Sequence, residues 1–559
     1  MGERRFTGLR MHEKLKPVIG EVSAITECYP ISTLPRLSRL FLDFADRREP
    51  LAPFYPASAY STAWMTAPPV LSGAHRDALC ALLEKGNRAA RAGNATFENL
   101  ARLRQGAGAV VTGQQVTLFG GPLLTLLKAA TAIRKAQDAT LAGHPHVPVF
   151  WLASEDHDLA EADHIMLPSG TDLRTLRLAS EGTRGAPVGG APLGAGIREV
   201  LDQAAAILGA GASCDRLTAC YRQDATFAQA FAEWLAAIFA EQGLIVIDAS
   251  SRGFHALGSS TLLAALTRAD EFHTALEERN NALQEAGYHA QVLTPPQSSL
   301  LFLIDSASGS RLSLKRTSDG GWQAGRQSYS TAELTAILEA EPERISPNAL
   351  LRPVFQDTLL PTSLYIGGPS EIAYFAQSQA LYERILGRTT PVQPRLSATL
   401  VEPEIAALLT EHGLALPEII ESGLEDPQAL AQRLGARAMP VETKRRLAAA
   451  GNALDGELAS LTAHLHTLND SLGRASDVAA SKMLYQMNRM RRLAANFELS
   501  RSQHLVRHAQ MLQTHLFPER QPQERILGAE WFLSRCEPLP ALLVEQAGQQ
   551  CPGHKAIWI

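Results

Sequence analysis

Charge is scarce in this chain. Only 19% of its 559 residues are Asp, Glu, Lys or Arg, below the usual quarter, and the formal net charge is −5. That balance leaves no broad basic footprint for DNA or RNA, so nucleic acid is not an expected partner. No run of about 18 apolar residues is free of charge, which argues against a membrane span. Cysteine is sparse too. The six are Cys28, Cys80, Cys214, Cys220, Cys536 and Cys551, and none forms a Cys-x-x-Cys pair. No structural zinc signature results, and the six are expected to be reduced, mostly buried thiols. The start, Met1 to Phe6, has neither the apolar segment nor the cleavage site of a secretory signal. Thr7 lies one place beyond where a myristoylation motif needs its hydroxyl. The expectation is a soluble, cytoplasmic protein.

What the chain does have is a 45% hydrophobic fraction, ample for a sizeable core. Its length allows three or four domains, or one large α/β unit with insertions. The apolar run Ala109–Thr112, a Gly-bearing loop, a helix from Pro122 to about Gln137 and a second run Val147–Ala153 read as a parallel βαβ unit. Leu244–Asp248 and Ser363–Ile366 are further strands, and Leu300–Ile304 pairs with Arg311–Lys315 as a hairpin. The Gly- and Ala-rich stretch around 182–214 reads as an insertion with loose edges. Beyond about residue 400 the pattern is helical only. Leu454, Leu458, Leu461, Leu465, Leu468 and Leu472 recur at spacings of four and three, a coiled-coil seam. After Gly473 and a cap at Ser476–Asp477, the series Met483, Met487, Met490, Ala494 and Phe497 repeats it. Two long helices with so short a break predict an antiparallel hairpin, docked on the core or on a second subunit, with a homodimer favoured. The tail after Pro518, with Trp531 and Phe532, is expected to pack back on the α/β part.

Three constellations carry the candidate chemistry. The first is Thr112-Gly113-Gln114-Gln115, then Gly120-Gly121-Pro122 and a helix bearing Lys128. Free N–H groups at such a helix start attract anions, although a tight turn without ligand has the same pattern. The motif is neither a Walker loop nor Gly-x-Gly-x-x-Gly. The second is Glu155-Asp156-His157-Asp158 at the end of a strand, followed by Asp163 and His164. Carboxylates gathered so closely raise one another's pKa and call for a cation, a substrate amine or a metal, unless they sit in a solvated loop. Strand ends of this kind are where an open parallel sheet binds ligands. The third is Gly367-Gly368-Pro369-Ser370-Glu371, with Tyr374 on its helix and Arg352 and Gln356 upstream. Arg352 suits a carboxylate clamp or a surface ion pair. His504, His508 and His515 share a helical face. A spacing of four can chelate zinc, and the reading adopted is a solvated or interface face.

Together these segments resemble the bacillithiol-biosynthesis cysteine-adding enzyme (BshC) family. The likeness rests on Val111 to Gln115 with Gly120, Gly121, Pro122 and Lys128, and on Pro148 to Trp151 leading to Glu155–Asp158. It continues with Leu360-Pro361-Thr362, then Gly367 to Tyr374, Pro522 to Arg525 and His554-Lys555. The resemblance implies a Rossmann-like, nucleotidyltransferase-type core over residues 1–398, with insertions at about 170–240 and 255–345. It also implies a helical coiled-coil domain over 399–517, used for dimerisation, and a segment 518–559 returning to the core. The implied reaction joins cysteine to the amine of glucosaminyl malate through an amide, the last step of bacillithiol synthesis. A free carboxylate needs activation, so ATP is the expected energy source, through an adenylate or an acyl phosphate.

In the mechanism expected from this, the Gly121 and Gly368 helix starts hold anionic groups. Glu155, Asp156 and Asp158 hold an ammonium group or Mg2+, and His157 takes a proton from the sugar amine. The expected binding residues are Thr112, Gly113, Gln114, Gln115, Gly120, Gly121, Lys128, His164, Arg352, Gln356, Gly367, Gly368, Glu371 and Tyr374. One departure stands out. Where nucleotidyltransferases carry His-x-Gly-His, this chain reads Phe119-Gly120-Gly121-Pro122, so adenylation by the usual residues is not expected. A metal-dependent hydrolase or amidase built on Glu155–Asp158 and His164 stays open, as does a non-catalytic coiled-coil scaffold.

Overall fold

The apolar runs of the chain form the interior of one parallel sheet. A computed structural model describes residues 26–179, 182–183, 185–425, 428–549 and 551–559, and the reading of Met1–Thr7 lies outside them. The strand order is Val392–Pro394, Thr362–Gly367, Gly108–Gln115, His146–Ala153 and Ile245–Asp248. Every neighbour is parallel. Val110, Val111, Val147, Val149 and Ile366 are fully buried, as a sheet covered by helices on both faces requires. The central strand continues through Gln115, past the expected loop start at Gly113. Gly113 permits this, because a Cβ there would stand 2.7 Å from the Trp151 carbonyl oxygen. Helix Leu124–Leu141 covers the sheet, and helix Leu539–Gly548 packs on it in turn.

Three further sheets surround this core. Ser298–Ile304 and Arg311–Arg316 form the expected hairpin within a five-stranded antiparallel sheet. His164–Ser169 pairs with Asp172–Arg177. Thr26–Tyr29, His554–Trp558 and Ser397–Val401 form a sheet that joins distant parts of the chain. Within the stretch expected to have loose edges the middle is packed, while residues 209–212 at its far edge are exposed. Helices Ile197–Leu208 and Ala212–Cys220 bury Ile197, Val200, Ala204 and Leu217. The expectation of six free thiols is corrected, because Cys28 and Cys551 form a disulfide. The two cysteines, 523 residues apart, meet because Thr26–Tyr29 pairs with His554–Trp558, which local cysteine spacing cannot reveal. Cys80 and Cys220 are buried thiols, while Cys214 and Cys536 are partly exposed.

The expected helical hairpin is present, with its break placed differently. Helix Val441–Leu468 turns at Asn469 into helix Asp470–Arg501. The Asn469 side chain caps the second helix by accepting from the N–H groups of Ser471 and Leu472. Gly473 is no break. It is buried at the crossing, where a Cβ would fall 2.2 Å from the His466 ring. Asp477 bonds His466 across the hairpin at 2.8 Å and caps nothing. The leucine seam splits. Leu454, Leu458 and Leu465 are half-buried, whereas Leu461, Leu468 and Leu472 are exposed. On the return helix Met487 is buried, and Met483, Met490 and Phe497 are exposed. One partner helix covers only one edge of so wide a stripe. Among the described residues no helix is long and apolar enough to cross a membrane.

Candidate active site

Strand ends and helix starts gather on one edge of a parallel sheet, and here they enclose a cleft of about 350 Å3. Gly113, Gln114 and Gln115 at the end of the central strand form its floor. Trp151, Ala153 and Asp156 border one side, and Gly368, Pro369, Ser370 and Glu371 the other.

Lys128, buried in the helix over the floor, donates to the Gly113 carbonyl at 2.7 Å and to Gln114 Oε1 at 3.0 Å. Its ammonium also contacts Glu371 Oε2. Glu371 accepts from the Tyr365 hydroxyl at 2.5 Å and from the Gly368 N–H at 2.8 Å. Burial alone would raise the Glu371 pKa, but the Lys128 charge overrides it and holds the carboxylate below its ordinary range. Arg352 lines the same wall. Its guanidinium donates to Gln356 Oε1 at 3.0 Å and to the Tyr374 and Tyr365 hydroxyls at 3.1 and 3.3 Å. Among the described residues, no carboxylate lies within ion-pair distance of it. Burial raises the pKa of both Tyr365 and Tyr374. Arg352 therefore meets neutral hydroxyls and keeps its charge available to a ligand.

Two further arginines were not foreseen as site residues. Arg395 and Arg525 both line the cleft, so its walls carry four cations against Asp156 and Glu371. Arg395 is nearly buried and pairs with Glu524 at 2.6 Å. Glu524 also accepts from the Ala398 N–H and the Ser397 hydroxyl. His554 bonds Ser397 and Thr399 behind them, and burial pushes its pKa down to about 4. The signal for Arg395 was a lone charge directly after the short strand Val392–Pro394. A second cavity, of about 810 Å3, meets the cleft at Pro369, Ser370, Arg395 and Arg525. Arg36, Arg47, Lys135 and Lys555 also line it, and its one carboxylate, Glu524, is already paired.

The acidic knot does not converge. Glu155 turns away to His255 at 2.8 Å, where the carboxylate outweighs burial and raises the imidazole pKa. Asp156 enters the cleft, where Gln115 donates to it. His157 and Asp158 are exposed and do not line the cleft, with His157 Nδ1 3.7 Å from Asp156. The expected need for an outside cation is corrected. The half-buried Arg311, which faces Glu155 and Asp156, supplies positive charge from within the chain, and Glu155 is already bonded to His255. The knot's backbone is clamped by the insertion, where the N–H groups of Val188 and Gly189 donate to the carbonyls of Asp156 and Ser154. Glu155, Asp156 and Asp158 thus do not fit a common Mg2+ ion.

Other expected residues lie off the cleft. Thr112 is buried and donates to the Ile366 carbonyl, tying two strands together. Gln356 is buried behind Arg352, and Gly367 gives its carbonyl to the Arg395 N–H. His164 stands in a separate hairpin beside Asp163, which pairs with Arg177. Gly120 and Gly121 are corrected most sharply. Phe119, Gly120 and Gly121 have φ of 49°, 77° and 71°, and all three are buried. Their helix start offers no anion site. The Gly120 N–H donates to the Tyr221 hydroxyl, that of Gly121 to Leu118, and that of Leu123 to Leu527.

Comparison with known proteins follows the same division of the chain. The family model described as "Bacillithiol biosynthesis BshC, N-terminal Rossmann-like domain" matches residues 26–396. The one described as "Bacillithiol biosynthesis BshC, C-terminal coiled-coil domain" matches residues 398–538. A Koribacter versatilis protein named "Putative cysteine ligase BshC" is 40% identical over 95% of this chain and 99% of its own. Proteins of the same name from Solibacter usitatus and Symbiobacterium thermophilum are 34% and 32% identical. They cover 95% and 87% of this chain, and 99% and 90% of their own.

Proposed function

The chain belongs to the bacillithiol biosynthesis BshC family, and on that premise we propose that it is a ligase joining the carboxyl group of cysteine to the amine of glucosaminyl malate. The bond formed is an amide, and one carboxylate oxygen of cysteine must leave. At the level of the site, the observation that carries this reading is Arg352. A half-buried guanidinium without a carboxylate partner, in a cleft with a cationic excess, suits a substrate bearing carboxylates. In this reading Arg352 clamps a malate or cysteine carboxylate. Asp156, the one carboxylate of the knot that faces the cleft, receives an ammonium group. His157, exposed next to it in the chain, accepts the proton that the attacking amine sheds. Lys128 and Glu371 hold the Gln114 side chain and the Gly368 turn in place between them.

ATP is the proposed energy source, and when bound it supplies the leaving group that carries away the cysteine oxygen. The larger cavity fits a phosphate chain by charge, with six basic side chains around one paired carboxylate. The exposed stripe Leu461, Leu468, Leu472, Met483, Met490 and Phe497 supports a homodimer through the hairpin. The reading also carries a cytoplasmic setting.

The test is to incubate the purified protein with cysteine, glucosaminyl malate and ATP, and to follow product and AMP or ADP by mass spectrometry. Product should form with ATP consumed, and Arg352→Gln should raise KM at least tenfold. Activity indifferent to ATP and abolished by chelation would replace this reading with the hydrolase one, and absence of product would replace it with the non-catalytic scaffold.

A further inference from the structure

Away from the cleft, at the base of the helical hairpin, three side chains bring donor atoms together. His412 ends helix Pro403–His412, and its Nε2 lies 2.9 Å from Nδ1 of His508 on helix Gln503–Leu516. Glu411 Oε1 stands 3.8 Å from the first nitrogen and 3.9 Å from the second. Among the described residues this is the one group of three potential ligands with all donor atoms within 4.8 Å. One turn before His508, on the same face, the ring of His504 lies 5.5 Å away between centroids.

We propose that Glu411, His412 and His508, with His504 as a fourth candidate donor, bind a divalent first-row transition ion of the zinc type. Four donors about 2.0–2.1 Å from a tetrahedral ion stand roughly 3.3 Å from one another, so each separation here needs to change by only about half an ångström. The Glu411 side chain is 54% exposed and has the freedom to move that far. Two or three imidazoles with one carboxylate select zinc-like ions over Mg2+ or Ca2+, which take oxygen donors. The two helices have no covalent link nearby, so the ion would staple them. Helix Gln503–Leu516 also reaches the α/β part through His515, which bonds Glu402 at 2.9 Å. A staple at His508 therefore holds the angle at which the hairpin leaves the core.

The test uses the full chain freed of metal by a chelator and titrated with Zn2+ against a chromophoric competitor. One equivalent should bind, and the thermal unfolding midpoint should rise with Zn2+. His412→Ala/His508→Ala should weaken binding at least 100-fold and remove the rise. His508→Gln keeps a hydrogen-bonding side chain and should weaken binding at least tenfold. His504→Ala should weaken it a few-fold if that ring is the fourth donor. Failure of the native chain to take up an equivalent at micromolar Zn2+, or equal uptake by the double variant, would overturn the assignment.

Discussion

The two Gly-Gly-Pro turns of this chain are nearly identical as text and opposite as structure. At Gly120-Gly121-Pro122 the glycines serve shape. A Cβ on Gly120 would sit 2.2–2.4 Å from three carbons of the Trp234 ring, and the turn is sealed by the Leu123 N–H donating to Leu527 and the Ala529 N–H donating to Gly121. At Gly367-Gly368-Pro369 the glycines leave an opening. Gly368 has φ −79°, its N–H is capped by Glu371, and the cleft lies directly outside. A motif at the carboxyl end of a strand is thus only a vacancy for a ligand. A distant segment of the same chain can fill that vacancy first.

The comparison breaks most easily at the first turn. Gly120→Ala combines a left-handed backbone with overlap on Trp234, and should cost about 5 kcal/mol in urea unfolding, or prevent folding. Charge, not shape, is the weak point of the second turn. Lys128→Met leaves the mostly buried Glu371 carboxylate without its cation, and should cost about 4 kcal/mol with at least a 100-fold loss of ligation. Adding Glu371→Gln should restore much of the stability and none of the activity, since the Gln114 contact stays lost.

The support behind Arg395 gives a pH signature. His554 titrates near 4 when folded and near 6.5 when unfolded, so between those values the unfolded chain binds the extra proton. Its contribution should be complete above about pH 6.5, decline as pH falls toward 4, and total about 3 kcal/mol. In denaturant titrations from pH 7 to 4, His554→Gln should lose less stability than the native chain by that amount. The smallest effect is expected at Gly368. In Gly368→Ala the new methyl would meet Glu371, Arg395 and Lys128 at ordinary distances of 3.4, 3.8 and 4.0 Å. Stability should change by less than about 1 kcal/mol, with a few-fold rise in KM as the measurable change. A loss of several kcal/mol there would erase the distinction between the turns.

Whatever depends on local pattern was legible in the sequence. Apolar runs ending in polar residues gave the parallel strands, and spacings of four and three gave the hairpin. Gln114, Gln115, Asp156, Lys128, Arg352, Gly368, Glu371 and Tyr374 do share the cleft. Hidden from such reading was everything set by contacts between distant segments. The tail at 527–529 closes the first turn, and His255 and Arg311 engage an acidic run that looked unbalanced. The leucine repeat located a stripe without saying which edge would face inward, because both edges carry the same residue. Arg395 escaped notice because a single arginine has no spacing to read.

The strand His554–Trp558 sits between Ser397–Val401 and Thr26–Tyr29, and it carries the imidazole that braces the Glu524–Arg395 pair. On the ribosome, that strand leaves the exit tunnel long after the parallel core has had the chance to form. A nascent chain stalled or clipped before residue 554 would hold a nearly complete core and lack the brace behind one wall of its cleft.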